Sequence, residues 1–125
     1  MLNEIKTNDA PAAIGPYSQA VAVGNFLFAS GQIPVDPASG NVPEGIEAQA
    51  EQSCKNVGAI LKANGMDYSN VVKTTCFLAD MGDFAKFNEV YAKYFNGSVK
   101  PARSCVAVKA IPKGVLCEIE VIAEK

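Results

Sequence analysis

The chain has 125 residues, 49% of them hydrophobic and 19% charged, with a formal net charge of −2. A chain this long buries about two-thirds of the surface its unfolded form exposes, so it describes one packed domain over residues 1–125 and excludes disorder. No Lys/Arg cluster stands out and no apolar run approaches the roughly 20 residues that cross a bilayer, so neither nucleic acid nor a membrane is an expected partner.

In chain order, the first runs read as strands: Leu2 to Lys6, Ser18 to Val23 and Phe26 to Ser30, with Gly24-Asn25 suited to a tight hairpin turn between the last two. Pro34 to Gly45 carries three prolines and two glycines and reads as a connecting loop. A helix follows, because Ile46, Ala50, Cys54, Val57 and Leu61 recur at helical spacing. Glu47, Glu51, Lys55 and Lys62 occupy its polar side, and Gly65 supplies the stop. Val71 to Leu78 is the next strand. A second helix carries the aromatic stripe Phe84, Phe87, Tyr91 and Tyr94, with Asp80 as a cap and Asp83 in its first turn. Ala102 to Ala110 and Leu116 to Ala123 complete the strands, and Ile111-Pro112-Lys113-Gly114 suits the turn of a C-terminal hairpin.

The order β-β-β-α-β-α-β-β predicts an α+β fold, a single mixed sheet with both helices on one face. Val71 to Leu78 and Phe26 to Ala29 are apolar on both parities, which two helices on one face cannot satisfy. Copies of the same chain covering the second face are the simplest solution, so a homo-oligomer is expected.

The chain contains no histidine, which removes the commonest general base and excludes a Ser-His or Cys-His nucleophile. Cys54, Cys76, Cys105 and Cys117 lack the spacing of a metal site. Met1 to Tyr17 lacks a basic start followed by an apolar stretch, so reduced, mostly buried thiols in a cytoplasmic protein are expected. Chemistry then falls to carboxylate, guanidinium, hydroxyl, thiol and backbone groups. Alternation puts Arg103, Cys105 and Ala107 on one face of their strand, and Glu118 opposite the apolar set Cys117, Ile119 and Val121. If the apolar sets of the two last strands meet under the helices, Arg103 and Glu118 share the helix-free face. A guanidinium matches a substrate carboxylate and a glutamate can activate water, although hairpin geometry alone favours an ion pair across strands or between subunits, with no chemistry. Cys105 by itself reads as a small buried hydrophobe, Tyr17 as a loop residue that can fill a gap, and Ser30-Gly31 as a turn or a place of close backbone approach. Asn88 lies beside the aromatic stripe, where it needs a hydrogen bond unless it is solvated.

Pro101-Ala102-Arg103-Ser104-Cys105-Val106, Ile111-Pro112-Lys113-Gly114 and Glu118-Ile119-Glu120 resemble the C-terminal signature of the Rid (reactive intermediate deaminase) family. Gly15-Pro16-Tyr17-Ser18-Gln19-Ala20, Ala29 to Pro34, Lys73-Thr74-Thr75 and the stretch Asp83 to Tyr91 resemble its other blocks, in order along nearly the whole chain. The similarity is to the imine-deaminase (RidA-type) branch, with Ile111 where leucine is commoner. The resemblance implies a chorismate-mutase-like homotrimer with active sites in the clefts between subunits. It implies cofactor-free hydrolysis of 2-iminopropanoate and 2-iminobutanoate, products of serine and threonine dehydratases, to 2-keto acids and ammonia. Arg103 is then expected to bind the substrate carboxylate and Glu118 to orient or activate water. Cys105 is expected to contribute its backbone, and Tyr17, Ser30, Gly31 and Asn88 to line the pocket. A trimer that binds small carboxylates without turnover, and a ribonuclease or translation inhibitor, are the alternatives.

Overall fold

The computed structural model describes residues 1–125. Its elements are β1 (Asn3–Ile5), β2 (Ala20–Val23), β3 (Phe26–Ala29), α1 (Ile46–Ala63), β4 (Val71–Leu78), α2 (Phe84–Tyr94), β5 (Ala102–Ala107) and β6 (Cys117–Glu124). They match the α+β order expected from the sequence. The strands form one six-stranded mixed sheet in the order β1-β2-β3-β6-β4-β5, with β4 and β5 parallel and every other pair antiparallel. No helix is long and apolar enough to cross a membrane.

Each helix forms where its apolar stripe can be buried. Along α1, Ile46, Ala50, Cys54, Val57, Ile60 and Leu61 are buried, and Gly65, at φ 68°, lets the chain leave in the left-handed region. The Gly65 and Met66 amides donate to Lys62 O and Leu61 O and close the last turn. Asp80 caps a short 3-10 turn, Met81–Asp83, which leads into α2. Phe87, Val90 and Tyr91 then point to the core, where Phe87 meets Tyr91 at 5.9 Å.

Alternation divides the sheet into two unlike faces. Leu27 of β3, Thr74, Cys76 and Leu78 of β4, and Cys117, Ile119 and Val121 of β6 are buried beneath the helices. The other face carries no layer. There Phe26 and Phe28 are 41% and 46% exposed, and Val106 is 45% exposed. This is the two-sided apolarity visible in the sequence, and it leaves a bare patch that one chain does not cover.

The expected C-terminal hairpin is not formed. β4 lies between β5 and β6, pairing in parallel with the first and antiparallel with the second. The reason is the α2 crossover, which returns the chain beside β4 in the parallel sense. Ile111 to Gly114 therefore turns within a longer connection across the end of β4, with Lys113 at φ 62°.

Candidate active site

The register fixes where each candidate residue points. Arg103 pairs with Thr74 and Cys105 with Cys76, and both β4 partners face the helices. Arg103 therefore lies on the helix face at the edge of the sheet, not on the helix-free face expected above. Val106, with an apolar side chain, takes the open face instead. The inward side chain of β5 opposite Thr74 is thus not an apolar one but a guanidinium resting on rings. Arg103 Cζ lies 4.7 Å from the Tyr91 ring centroid and 5.5 Å from that of Phe84. Arg103 Nη1 donates to Asn88 Oδ1 at 2.6 Å. Asn88 thus has the partner its position beside the stripe demanded, and it orients the arginine.

Arg103 has no carboxylate partner. The two ion pairs of the chain join Lys6 to Glu4 and Lys55 to Glu51, both on the surface. A half-buried cation supported only by π faces and an amide oxygen leaves donor N–H groups free for an anion. A surface cavity of about 480 Å³ lies beside it, lined in part by Asn88, Tyr91, Lys100 and Arg103. Cys105 is half-buried two residues on, its thiol held above its ordinary value by burial, with Arg103 pulling the other way. A thiol kept neutral in this way is a poor nucleophile.

Glu118 lies elsewhere. It pairs with Phe77 in β6–β4 and points to the open face. Arg103 and Glu118 stand two strands and three residues apart, on the order of 14 Å between Cα atoms, and on opposite faces. Within one chain they cannot grip the same small molecule. What Glu118 meets is Gly31. The segment after β3 is held against β6 by a reciprocal bridge, Gln32 N to Ile119 O at 2.7 Å and Ile119 N to Gln32 O at 3.2 Å. The Glu118 side chain consequently packs on the Gly31 backbone so closely that a Cβ at 31 would lie 2.7 Å from its Cδ. Glu118 makes no ion pair, and burial, with Glu120 adding repulsion, pushes its carboxyl above the usual range. A carboxylate so placed is a stronger base than one in water.

Three other candidates gather near it. Gly31 and Tyr17 share a surface cavity of about 510 Å³ with Gln32 and Lys113. Ser30 Oγ donates to Ser18 O at 2.7 Å, and Ser30 N to Gln19 O at 2.9 Å, tying the segment to the start of β2. Tyr17 is half-exposed, and its hydroxyl accepts from Ile14 N at 3.4 Å. Buried Gln19 braces this wall: its Oε1 accepts from Thr7 N at 2.8 Å and its Nε2 donates to Pro11 O at 2.8 Å.

The candidates thus fall into two clusters, Arg103, Asn88 and Cys105 at one sheet edge, and Tyr17, Ser30, Gly31 and Glu118 across the sheet. The supporting rings Phe84 and Tyr91 read in the sequence only as core. Their second role was detectable in principle, since Asn88 on the same helix needed a polar partner and α2 feeds directly into β5.

Known proteins of the same kind share this scaffold. A family model described as Endoribonuclease L-PSP matches residues 7–125. The mouse protein named 2-iminobutanoate/2-iminopropanoate deaminase is 56% identical over 120 residues, 95% of this chain and 88% of the mouse protein. The RutC family protein y4sK of Sinorhizobium fredii is 54% identical over 124 residues, covering 98% and 97% of the two chains. The crystal structure of Escherichia coli TdcF with bound serine superposes with a TM-score of 0.95 at 46% identity, covering 98% of each chain. With matches of this extent, and a fold common to them, the chain belongs to the Endoribonuclease L-PSP (Rid) family.

Proposed function

We propose that this protein hydrolyses reactive 2-imino acids, 2-iminopropanoate and 2-iminobutanoate, to 2-keto acids and ammonia, at sites built between copies in a homotrimer. The observation that carries the reading is the uncompensated Arg103, half-buried on two aromatic faces and held by Asn88 with no acid beside it. Such a fork matches a small carboxylate. The separation of Arg103 from Glu118 onto opposite faces supports a composite site. A neighbour seated on the bare apolar face brings its own Arg103 edge toward this chain's Glu118 and Gly31. The mouse relative's name and the serine bound to TdcF, an amino acid with the same carboxylate, support the substrate class.

In this reading the Arg103 of one copy grips the carboxylate and leaves C2 of the imine facing the Glu118 of its neighbour. Glu118 takes a proton from water as the oxygen adds to C2, and the C=N electron pair moves to nitrogen. The carbinolamine so formed receives that proton on nitrogen. Glu118 then carries the hydroxyl proton to that nitrogen, so the C–N bond breaks with ammonia as the leaving group and the hydroxyl oxygen becomes the keto oxygen. Tyr17, Ser30 and Gly31 wall the pocket, and Cys105 contributes main chain. Imines hydrolyse readily in water, so positioning and one proton shuttle suffice. The family description as an endoribonuclease finds less support here, since net charge −2 and the lack of a basic cluster do not favour a phosphate backbone.

The test is a coupled assay in which a dehydratase releases the imine while semicarbazide competes for it. The protein is expected to speed keto-acid and ammonia release, and Arg103→Ala to abolish the effect while assembly persists. No acceleration by the wild type, with carboxylates still stabilising it, overturns the enzyme in favour of a binding trimer.

A further inference from the structure

Thr74 is a hydroxyl in an apolar place. It lies in the middle of β4 on the helix face, fully buried in the inward row that continues through Cys76 and Leu78. Valine has nearly the same shape and would avoid the desolvation of a hydroxyl, so the oxygen needs a purpose there. Its Oγ1 sits 2.8 Å from the Tyr91 hydroxyl, a bond that joins the sheet to α2 inside the core. The same Thr74 is the register partner of Arg103 on β5.

Two paths therefore run from Thr74 to the guanidinium. One passes through the β4–β5 ladder to the Arg103 backbone. The other passes through the Tyr91 hydroxyl to the ring, whose centroid is 4.7 Å from Arg103 Cζ. Tyr91 is also stacked on Phe95 at 4.4 Å and 24° and tilted against Phe87 at 5.9 Å, and the hydroxyl bond adds the one directional constraint on where that ring ends. Asn88 then fixes one guanidinium nitrogen at 2.6 Å. The donors not turned to Asn88 are left in a direction set by the ring beneath them.

We infer that the Thr74–Tyr91 hydroxyl pair is a positioning element, which sets the guanidinium of Arg103 for a ligand carboxylate through the ring beneath it. This rests on the carboxylate-binding reading of Arg103. It predicts that losing the Thr74–Tyr91 bond weakens carboxylate binding out of proportion to any change in the fold.

The experiment uses the full chain and three variants, Thr74→Val, Tyr91→Phe and Thr74→Ser, with Arg103→Ala as reference. Calorimetry measures Kd for 2-oxobutanoate, a stable 2-keto acid, and steady-state assays give kcat and KM separately. Thermal unfolding and light scattering report fold and assembly. Thr74→Val and Tyr91→Phe are expected to raise Kd by about tenfold and to raise KM more than they lower kcat, with Thr74→Ser restoring both. Tyr91→Phe keeps the ring and its stacking, so it serves where Thr74→Val fails to fold. Wild-type Kd in both hydroxyl-deleted variants, while Arg103→Ala loses binding, overturns the inference alone. A loss that Thr74→Ser does not repair overturns it in favour of a purely structural bond. Identical Kd for wild type and Arg103→Ala overturns the reading of Arg103 and the inference with it.

Discussion

Gly31→Ala isolates the placement of Glu118. The added Cβ would stand 2.7 Å from Glu118 Cδ and 3.0 Å from Cγ. Carbon atoms in ordinary contact keep about 3.5–4.0 Å, so the carboxyl must retreat by about 1 Å. Gly31 lies outside the left-handed region, so alanine adds no backbone strain. The Glu118 backbone is held in β6 by β4 and by the Gln32 bridge beside it, so the side chain alone moves. A misplacement of that size costs about 100-fold in rate, while a surface-facing side chain that can turn outward leaves stability within about 1 kcal/mol. Steady-state kinetics of 2-iminobutanoate hydrolysis, with urea unfolding alongside, read both quantities. In a Glu118→Ala background the clash is gone, and adding Gly31→Ala should change the residual rate by no more than about threefold. A Gly31→Ala enzyme within about twofold of wild type would show that the Glu118 position does not matter to the chemistry.

Two further outcomes follow from the packing around Glu118 and Gly58. Burial raises the Glu118 carboxyl, so the folded chain holds that proton more tightly than the unfolded chain, and ionisation above the ordinary carboxylate range opposes folding. Glu118→Gln should therefore show a higher Tm than wild type at neutral pH, the gap closing as pH falls through the raised Glu118 range; an unchanged or lower Tm at pH 7 contradicts this. Gly58 lies in α1 where a Cβ would come 2.8 Å from Tyr68 Cζ, and the Tyr68 hydroxyl donates to Cys54 O at 2.7 Å. Alanine in a helix interior ordinarily stabilises by up to about 1 kcal/mol, but Gly58→Ala should destabilise by roughly 1–3 kcal/mol in urea unfolding.

Much of the fold was legible because it follows from periodicity. The stripe from Ile46 to Leu61 and the aromatic stripe of α2 each needed burial, and Val71 to Leu78 matches β4 at both ends. The bare apolar face was legible for the same reason, since Phe26, Phe28 and Phe77 alternate with the inward row. Strand partners were not legible, because sequence neighbours in β5 and β6 invite a hairpin while the choice of β4 as the middle strand depends on where α2 delivers the chain. That one choice decided the side of Arg103. Ser104, Cys105 and Val106 give β5 too little contrast to reveal its inward row, and an arginine sheltered by rings carries no apolar signature. The Gly31–Glu118 contact was equally hidden. It arises from the isolated bridge of Gln32 to Ile119, a pairing between residues far apart in the chain.

A site shared between copies can be tested by complementation. Arg103→Ala and Glu118→Gln, each expected to be inactive alone, can be co-assembled at equal amounts with different tags and the mixed species isolated. Every site that takes Glu118 from the first variant and Arg103 from the second is intact. Random cyclic assembly should therefore restore about a quarter of wild-type activity to the mixture as a whole. Mixed assemblies proven by both tags, yet no more active than either parent, would contradict it.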